Sequence, residues 1–361
     1  MTPLGELLAD RIRREGPLTV REYMRLCLTP PEHGYYRSRP AVGAAGDFIT
    51  APEISQVFGE LIGLWAAEVW TAMGRPAPLR LVELGPGRGT LMADALRAVA
   101  KVAPDFRAAI ALHLVEINAD LRRQQAAALM KLPGAAASPQ WHETLADVPN
   151  GPLIVIANEF FDALPIRQVV RTADGWRERM VTYADGSFRF AEGPRVNGPA
   201  ITAEIGAIVE TSPDGGALAG AIGARLVADG GAALIIDYGP AAPGLGDTLQ
   251  AVRAHEKVSP LAEPGAADLT AHVDFAGLTT AARAAGAAAY GPVPQATLLN
   301  RLGIFARAAT LLQHATAAQA GRIESGVRRL IEPAEMGTLF QAIAIATPRL
   351  AVPGFDSGSF D

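Results

Sequence analysis

Leu79-Arg80-Leu81-Val82-Glu83-Leu84-Gly85-Pro86-Gly87-Arg88-Gly89-Thr90 is the stretch on which the fold of this chain turns. Leu79–Leu84 is an apolar run of strand length, Gly85, Gly87 and Gly89 follow at alternate positions, and Thr90–Lys101 reads as a helix. Glycines at these positions let the backbone turn sharply and approach a ligand closely. The N–H groups of the helix opening near Thr90 then point across the loop. The alternation continues downstream, with strands predicted at Ile110–Glu116, Leu153–Ala157 and Ala232–Asp237 and a helix at Ala119–Lys131. Strands separated by helices of this length imply βαβ units and a parallel sheet buried on both faces. The fold class is therefore α/β, built on a parallel sheet.

Working outward, Thr2-Pro3 supplies a cap and a first-turn proline for a helix over 3–14, and Thr19-x-x-Glu22 is a capping box opening a helix to about Cys27. Thr29 to Ala51 lacks periodicity, and Tyr35, Tyr36 and Phe48 argue that this long loop is ordered and functional. Thr50-x-x-Glu53 reads as a second capping box, with a helix running on to about Met73. Asp174-Gly175 and Asp185-Gly186 mark hairpin turns inserted at 166–190. The last third is Ala-rich and mostly helical, closing on a buried strand at Leu339–Ala346. The expected organisation is an N-terminal helical region and loop (1–78), a core with the inserted hairpin and helical insertions (79–347), and a flexible tail (348–361).

Composition narrows the function classes. The chain has 361 residues, net charge −5, one cysteine and 49% hydrophobic residues. It is long enough for a sizeable core, and its single cysteine excludes an internal disulfide framework and points to a reducing, bacterial-type cytoplasm. Mild acidity offers no overall attraction to nucleic acid, and no apolar run approaches the roughly 18 residues of a membrane span. Met1–Glu15 mixes acids and arginines without an apolar core, so it reads as neither signal nor transit peptide. The six histidines have no zinc-ligand spacing, so no metal is expected, and no G-x-S-x-G elbow occurs.

The glycine loop departs from the dinucleotide pattern G-x-G-x-x-G, because its third glycine comes one residue early and Pro86 fills the first gap. A nicotinamide oxidoreductase is thereby the disfavoured alternative. With Glu83 just before it, the segment resembles motif I of class I S-adenosylmethionine-dependent methyltransferases. Glu116, ending the next strand, is placed to accept from ribose hydroxyls. Further segments narrow the resemblance: Gly46-Asp47-Phe48-Ile49-Thr50-Ala51-Pro52-Glu53-Ile54-Ser55, Phe58-Gly59-Glu60, Ala157-Asn158-Glu159-Phe160-Phe161-Asp162-Ala163-Leu164-Pro165, Ile236-Asp237-Tyr238-Gly239 and Asp268-Leu269-Thr270-Ala271-His272-Val273-Asp274-Phe275. Together, in this order and spacing, they look like the MidA-like family, across residues 4 to 347. The resemblance implies a Rossmann-like class I methyltransferase sheet and S-adenosylmethionine as cofactor. It also implies N-methylation of a protein arginine, in a respiratory complex I subunit or another protein, since the family's eukaryotic members are mitochondrial complex I assembly factors. A scaffold that binds the cofactor without catalysis is the other alternative.

Candidate residues follow. Glu83, Gly85, Gly87, Gly89, Glu116 and Asn158 are expected at the cofactor, with Trp141 and His142 near its adenine. Glu159 and Asp162 follow a strand where a parallel sheet presents its ligand crevice, and two carboxylates can grip a planar guanidinium. The competing reading has Asp162 capping a short helix at Ala163-Leu164 and Glu159 solvated. Asp47, Thr50, Pro52 and Glu53 are expected to fold over the pocket, although Glu53 is equally the third residue of a capping box.

Overall fold

The computed structural model describes residues 1–38, 50–130, 132, 138–242 and 244–356. Its centre is a sheet of seven strands: β1 (Leu79–Leu84), β2 (Ile110–Val115), β3 (Gln140–His142), β4 (Leu153–Asn158), β5 (Gly231–Tyr238), β6 (Ala288–Pro294) and β7 (Phe340–Ala346). The spatial order is β6-β7-β5-β4-β1-β2-β3. Strands β1 to β5 are parallel, and β7 runs antiparallel between β5 and β6. From β1 the chain moves out to β2 and β3, then returns to β4 on the other side of β1. A sheet of this kind opens its crevice at such a reversal, beyond the carboxyl ends of the strands.

Strand alternation divides the apolar side chains between two cores. Leu79, Leu81, Ile154, Ile156, Leu234 and Ile236 face helices Gln56–Ala72 and Thr90–Val102. Val82, Leu84, Val155, Ala157, Ala233 and Ile235 face helices Pro213–Asp229 and Phe275–Ala284. The second of these is capped by Asp274, which accepts from the Gly277 amide at 2.9 Å. Helices Gln56–Ala72 and Thr90–Val102 approach closely because Gly63 lacks a side chain: a Cβ there would sit 2.8 Å from the Ala95 backbone.

A third core lies outside the sheet. Helices Pro3–Glu15 and Val20–Leu28 bury Leu8, Ile12, Tyr23, Met24 and Cys27 against Val181 of the insertion and against Leu249 and Leu269. Residues 1–78 are thus divided, the first helices packing on the insertion and Gln56–Ala72 on the sheet. The insertion extends beyond 190: its strands are Arg167–Thr172, Gly175–Ala184, Ser187–Val196 and Ile208–Thr211, and Leu18–Thr19 joins them by pairing with Gly175–Ala184. Asp185 and Gly186 form the two-residue turn between Ala184 and Ser187, both with positive φ (50° and 78°).

Two expectations are corrected. The Thr50-x-x-Glu53 segment makes only the short helix Ala51–Ile54, with no side-chain cap from Thr50; Ser55 turns extended and caps the next helix through the Val57 amide. The tail is not free over its described part, because Val352 is buried, Trp65 Nε1 donates to the Pro353 carbonyl (3.1 Å) and Arg301 pairs with Asp356. Residues 357–361 lie outside the described residues.

Candidate active site

The glycine loop crosses the carboxyl edge of β1 with Gly85, Gly87 and Gly89 all at positive φ (61°, 52° and 82°). Gly89 is the N-cap of helix Thr90–Val102. A pocket opens on this loop, lined also by Thr50, Pro52, Glu53, Glu83, Arg88, Thr90, Asn158 and Glu159. Asp47 lies outside the described residues. Glu53 is no capping acid: it accepts from the Thr90 hydroxyl and pairs with Arg88 at 3.5 Å, tying the segment before the sheet to the glycine loop.

Alternation along the strands puts Glu83 and Asn158 on one face, together with Glu116 just past β2. Burial, then repulsion from Glu116, pushes the Glu83 carboxyl up to about 8. Burial likewise raises Glu116, whose oxygens accept from the Asn118 amide (2.8 Å) and from Gln125 Nε2 (3.2 Å). Among the described residues, Glu83 Oε2 and Asn158 Oδ1 are buried without a hydrogen-bond partner.

Gln125 is the residue that sequence reasoning missed here. Fully buried, it donates from Nε2 to the Gly87 carbonyl (2.7 Å) and to Glu116, accepts from Trp141 Nε1 (2.7 Å), and packs beneath Gly89. Trp141 therefore reaches the loop through Gln125. His142 does not line the pocket: successive strand residues face opposite ways, and its ring shares a hydrogen with His113 at 3.0 Å on the other face of the sheet.

After β4 the chain turns at Glu159, a non-glycine residue with φ of 50°. Glu159 Oε1 accepts from the Ala51 amide (2.9 Å) and from Asn158 Nδ2 (3.1 Å). Burial is the main cause that raises its carboxyl to about 7, with Asp162 adding to it. Asp162 neither caps a helix nor lines the pocket; 159–164 is a turn, and Asp162 is buried behind it beside Tyr238 and Asp237. Burial lifts the Asp162 carboxyl to about 6. Tyr36 straps this edge, its hydroxyl donating to Asp268 (2.7 Å) and its carbonyl accepting from Asn118 (2.7 Å).

Comparison with known proteins identifies this arrangement. Residues 61–293 match a family of S-adenosyl-L-methionine-dependent methyltransferases. The protein arginine methyltransferase NDUFAF7 homolog of Drosophila melanogaster is 39% identical over 95% of this chain and 84% of its own. Human protein arginine methyltransferase NDUFAF7 is 38% identical over 96% and 83%. A Burkholderia thailandensis crystal structure bound to S-adenosyl-homocysteine superposes with a TM-score of 0.84 at 30% identity, covering 98% of this chain and 95% of that one. The chain belongs to the MidA-like family of S-adenosylmethionine-dependent methyltransferases.

The donors and acceptors present fit the cofactor of this methyltransferase. An orphaned carboxyl oxygen on Glu83 and an orphaned amide oxygen on Asn158 lack donors, which the cofactor's ammonium group would supply. Glu116 carries two hydrogen bonds and keeps acceptor capacity for ribose hydroxyls. The positive-φ glycines put no side chain between the loop backbone and an approaching ligand. The same family match sets aside the nicotinamide reading.

Proposed function

We propose that this methyltransferase transfers its methyl group to an arginine side chain of a protein substrate. The observation that carries the reading is the group Glu159, Asp162 and Asp237, three acids packed at the end of β4 and β5 whose pKa values burial raises, with Asp162 adding to the rise at Glu159 and at Asp237. No salt bridge reaches any of them among the described residues. A buried acidic cluster that no ion pair neutralises favours a cationic ligand over a neutral one, because buried charge is stable only when paired. The names of the curated relatives support arginine as that cation.

The bound cofactor supplies a methyl group on a sulfonium. Glu159, on the pocket wall, orients the guanidinium and holds a terminal nitrogen at near-attack distance. As the new N–C bond forms and the S–C bond breaks, the guanidinium gains a methyl and must release one proton to remain a monocation. A carboxyl pushed up to about 7 accepts that proton near neutral pH. Asp162 and Asp237 contribute negative potential from behind.

The target, on the family resemblance, is a respiratory complex I subunit, and the buried thiol Cys27 fits a reducing, cytoplasmic setting. The test is to incubate the purified protein with isotopically labelled S-adenosylmethionine and a cell extract, then map labelled sites by mass spectrometry. Label on arginine is expected; label confined to lysine or to small molecules overturns the reading.

A further inference from the structure

Asp237, next to last in β5, is fully buried on the face of the sheet opposite Glu83 and Asn158. Its Oδ2 accepts from three successive backbone amides, Phe160 (3.1 Å), Phe161 (2.9 Å) and Asp162 (3.2 Å), and its Oδ1 accepts from Tyr238 (2.9 Å). The residue before it acts on the same loop, since the Ile236 carbonyl accepts from the Glu159 amide at 2.9 Å. Four consecutive amides, 159 to 162, are therefore held by two consecutive residues of one strand. Successive N–H groups converging on one point form a nest, which binds anions. Here the anion is the protein's own carboxylate.

The nest begins at Glu159, whose φ of 50° is a left-handed conformation that side chains with a Cβ resist. An isolated loop would relax from it. The hydrogen bonds to Asp237 and Ile236 prevent that, and they leave Glu159 on the pocket wall and Asp162 behind it.

We propose that Asp237 is a positioning residue for methyl transfer: its carboxylate folds the loop from Glu159 to Asp162 and so holds Glu159 at the pocket. This rests on Glu159 acting on the substrate. Asp237 itself touches neither pocket nor substrate. Replacing it therefore acts through the loop.

The test uses the intact chain in three arms. In the wild type, hydrogen exchange resolved to residues 159–162 should show strong protection of all four amides, although they lie in a turn outside any helix or strand; exchange at unprotected rates overturns the proposal without any variant. Asp237→Asn keeps the volume and one acceptor oxygen. Its kcat should fall about 10- to 100-fold, the size of a lost positioning effect, while the KM for S-adenosylmethionine stays within about twofold. Unchanged kcat in Asp237→Asn, with Glu159→Gln inactive, overturns the positioning role alone. Full activity in Glu159→Gln removes the role assigned to Glu159 and this proposal with it. Should Asp237→Asn fail to fold, the wild-type exchange pattern decides.

Discussion

The ring of Phe160 lies across Gly85, its Cδ2 only 2.7 Å from where a β-carbon on the glycine would stand. The first residue of the cofactor loop and the residue after Glu159 are thus in contact, so the methyl-donor side and the acidic side of the pocket are packed as one unit. Neither can shift without moving the other.

Gly85→Ala should therefore damage both. A Cβ at a φ of 61° costs about 1–2 kcal/mol in backbone strain, and the Phe160 ring must also move. Calorimetry should find cofactor affinity reduced at least about tenfold, the equivalent of 1.4 kcal/mol. Adding Phe160→Ala should return part of the affinity by clearing the contact, though not the part due to φ. If the double variant binds no better than Gly85→Ala, the packing argument is wrong.

Glu83 should impose a pH dependence on the free protein. Its folded pKa of about 8 lies above the ordinary 4.5, so the folded chain binds more protons than the unfolded one between those values. Its contribution to stability is fully present below about 4.5 and is lost as pH rises toward 8. Glu83→Gln cannot ionise, so relative to wild type it should gain on the order of 1–3 kcal/mol at pH 8.5 and almost nothing at pH 4.5. Cofactor binding should change the other way, weakening in the variant because the ammonium loses its counter-charge. Wild-type affinity should rise from pH 6 to 7.5 with proton release. Denaturant titrations and calorimetry in two buffers check both halves; a pH-independent difference in stability would rule out the assignment.

The sheet was legible where burial leaves a plain pattern. Strands β1, β2, β4, β5 and β7 are apolar runs shielded on both faces, and each lies within a residue or two of its expected range. Strand β6 was not seen, for a physical reason. Its sequence, Ala288-Ala289-Tyr290-Gly291-Pro292-Val293-Pro294, carries two prolines and a glycine, tolerated only because it pairs on one side and bulges between Tyr290 and Val293. At the site, Glu83 and the glycines were readable because local spacing defines a strand-to-helix turn. Gln125 and Asp237 were not, since each acts on backbone distant in sequence, Gly87 and 160–162. His142 was misplaced because its neighbour Trp141 was read without regard to strand alternation.

Gln125 offers a direct check on that missed role. Gln125→Leu keeps much of the volume beneath Gly89 but strips partners from the Gly87 carbonyl, Glu116 Oε2 and Trp141 Nε1. Each orphaned buried group costs about 1–3 kcal/mol. Cofactor affinity should fall by about 10- to 100-fold, with kcat at saturating cofactor little changed, because Gln125 lies on the binding side of the pocket. A drop in kcat with unchanged affinity would contradict this.

Glu159→Gln separates the two halves of the reaction. The amide keeps the size of the carboxylate and an oxygen for the Ala51 N–H, so the loop and the cofactor side should be undisturbed. What disappears is the negative charge against the guanidinium and the acceptor for the released proton. Methyl transfer should fall by about 10² to 10⁴, the range for loss of a proton-transfer group, while S-adenosylmethionine binds within about twofold of wild type. Asp162→Asn should act in the same direction more weakly, because Asp162 lies behind the turn and reaches the substrate only through its field. Below pH 7 the wild type should lose rate as Glu159 protonates, and the variant should lack that limb. Single-turnover transfer to the mapped arginine, measured from pH 5.5 to 8.5, is the deciding experiment. Near-normal transfer by Glu159→Gln would move the substrate-binding role to Glu53 or Asp47.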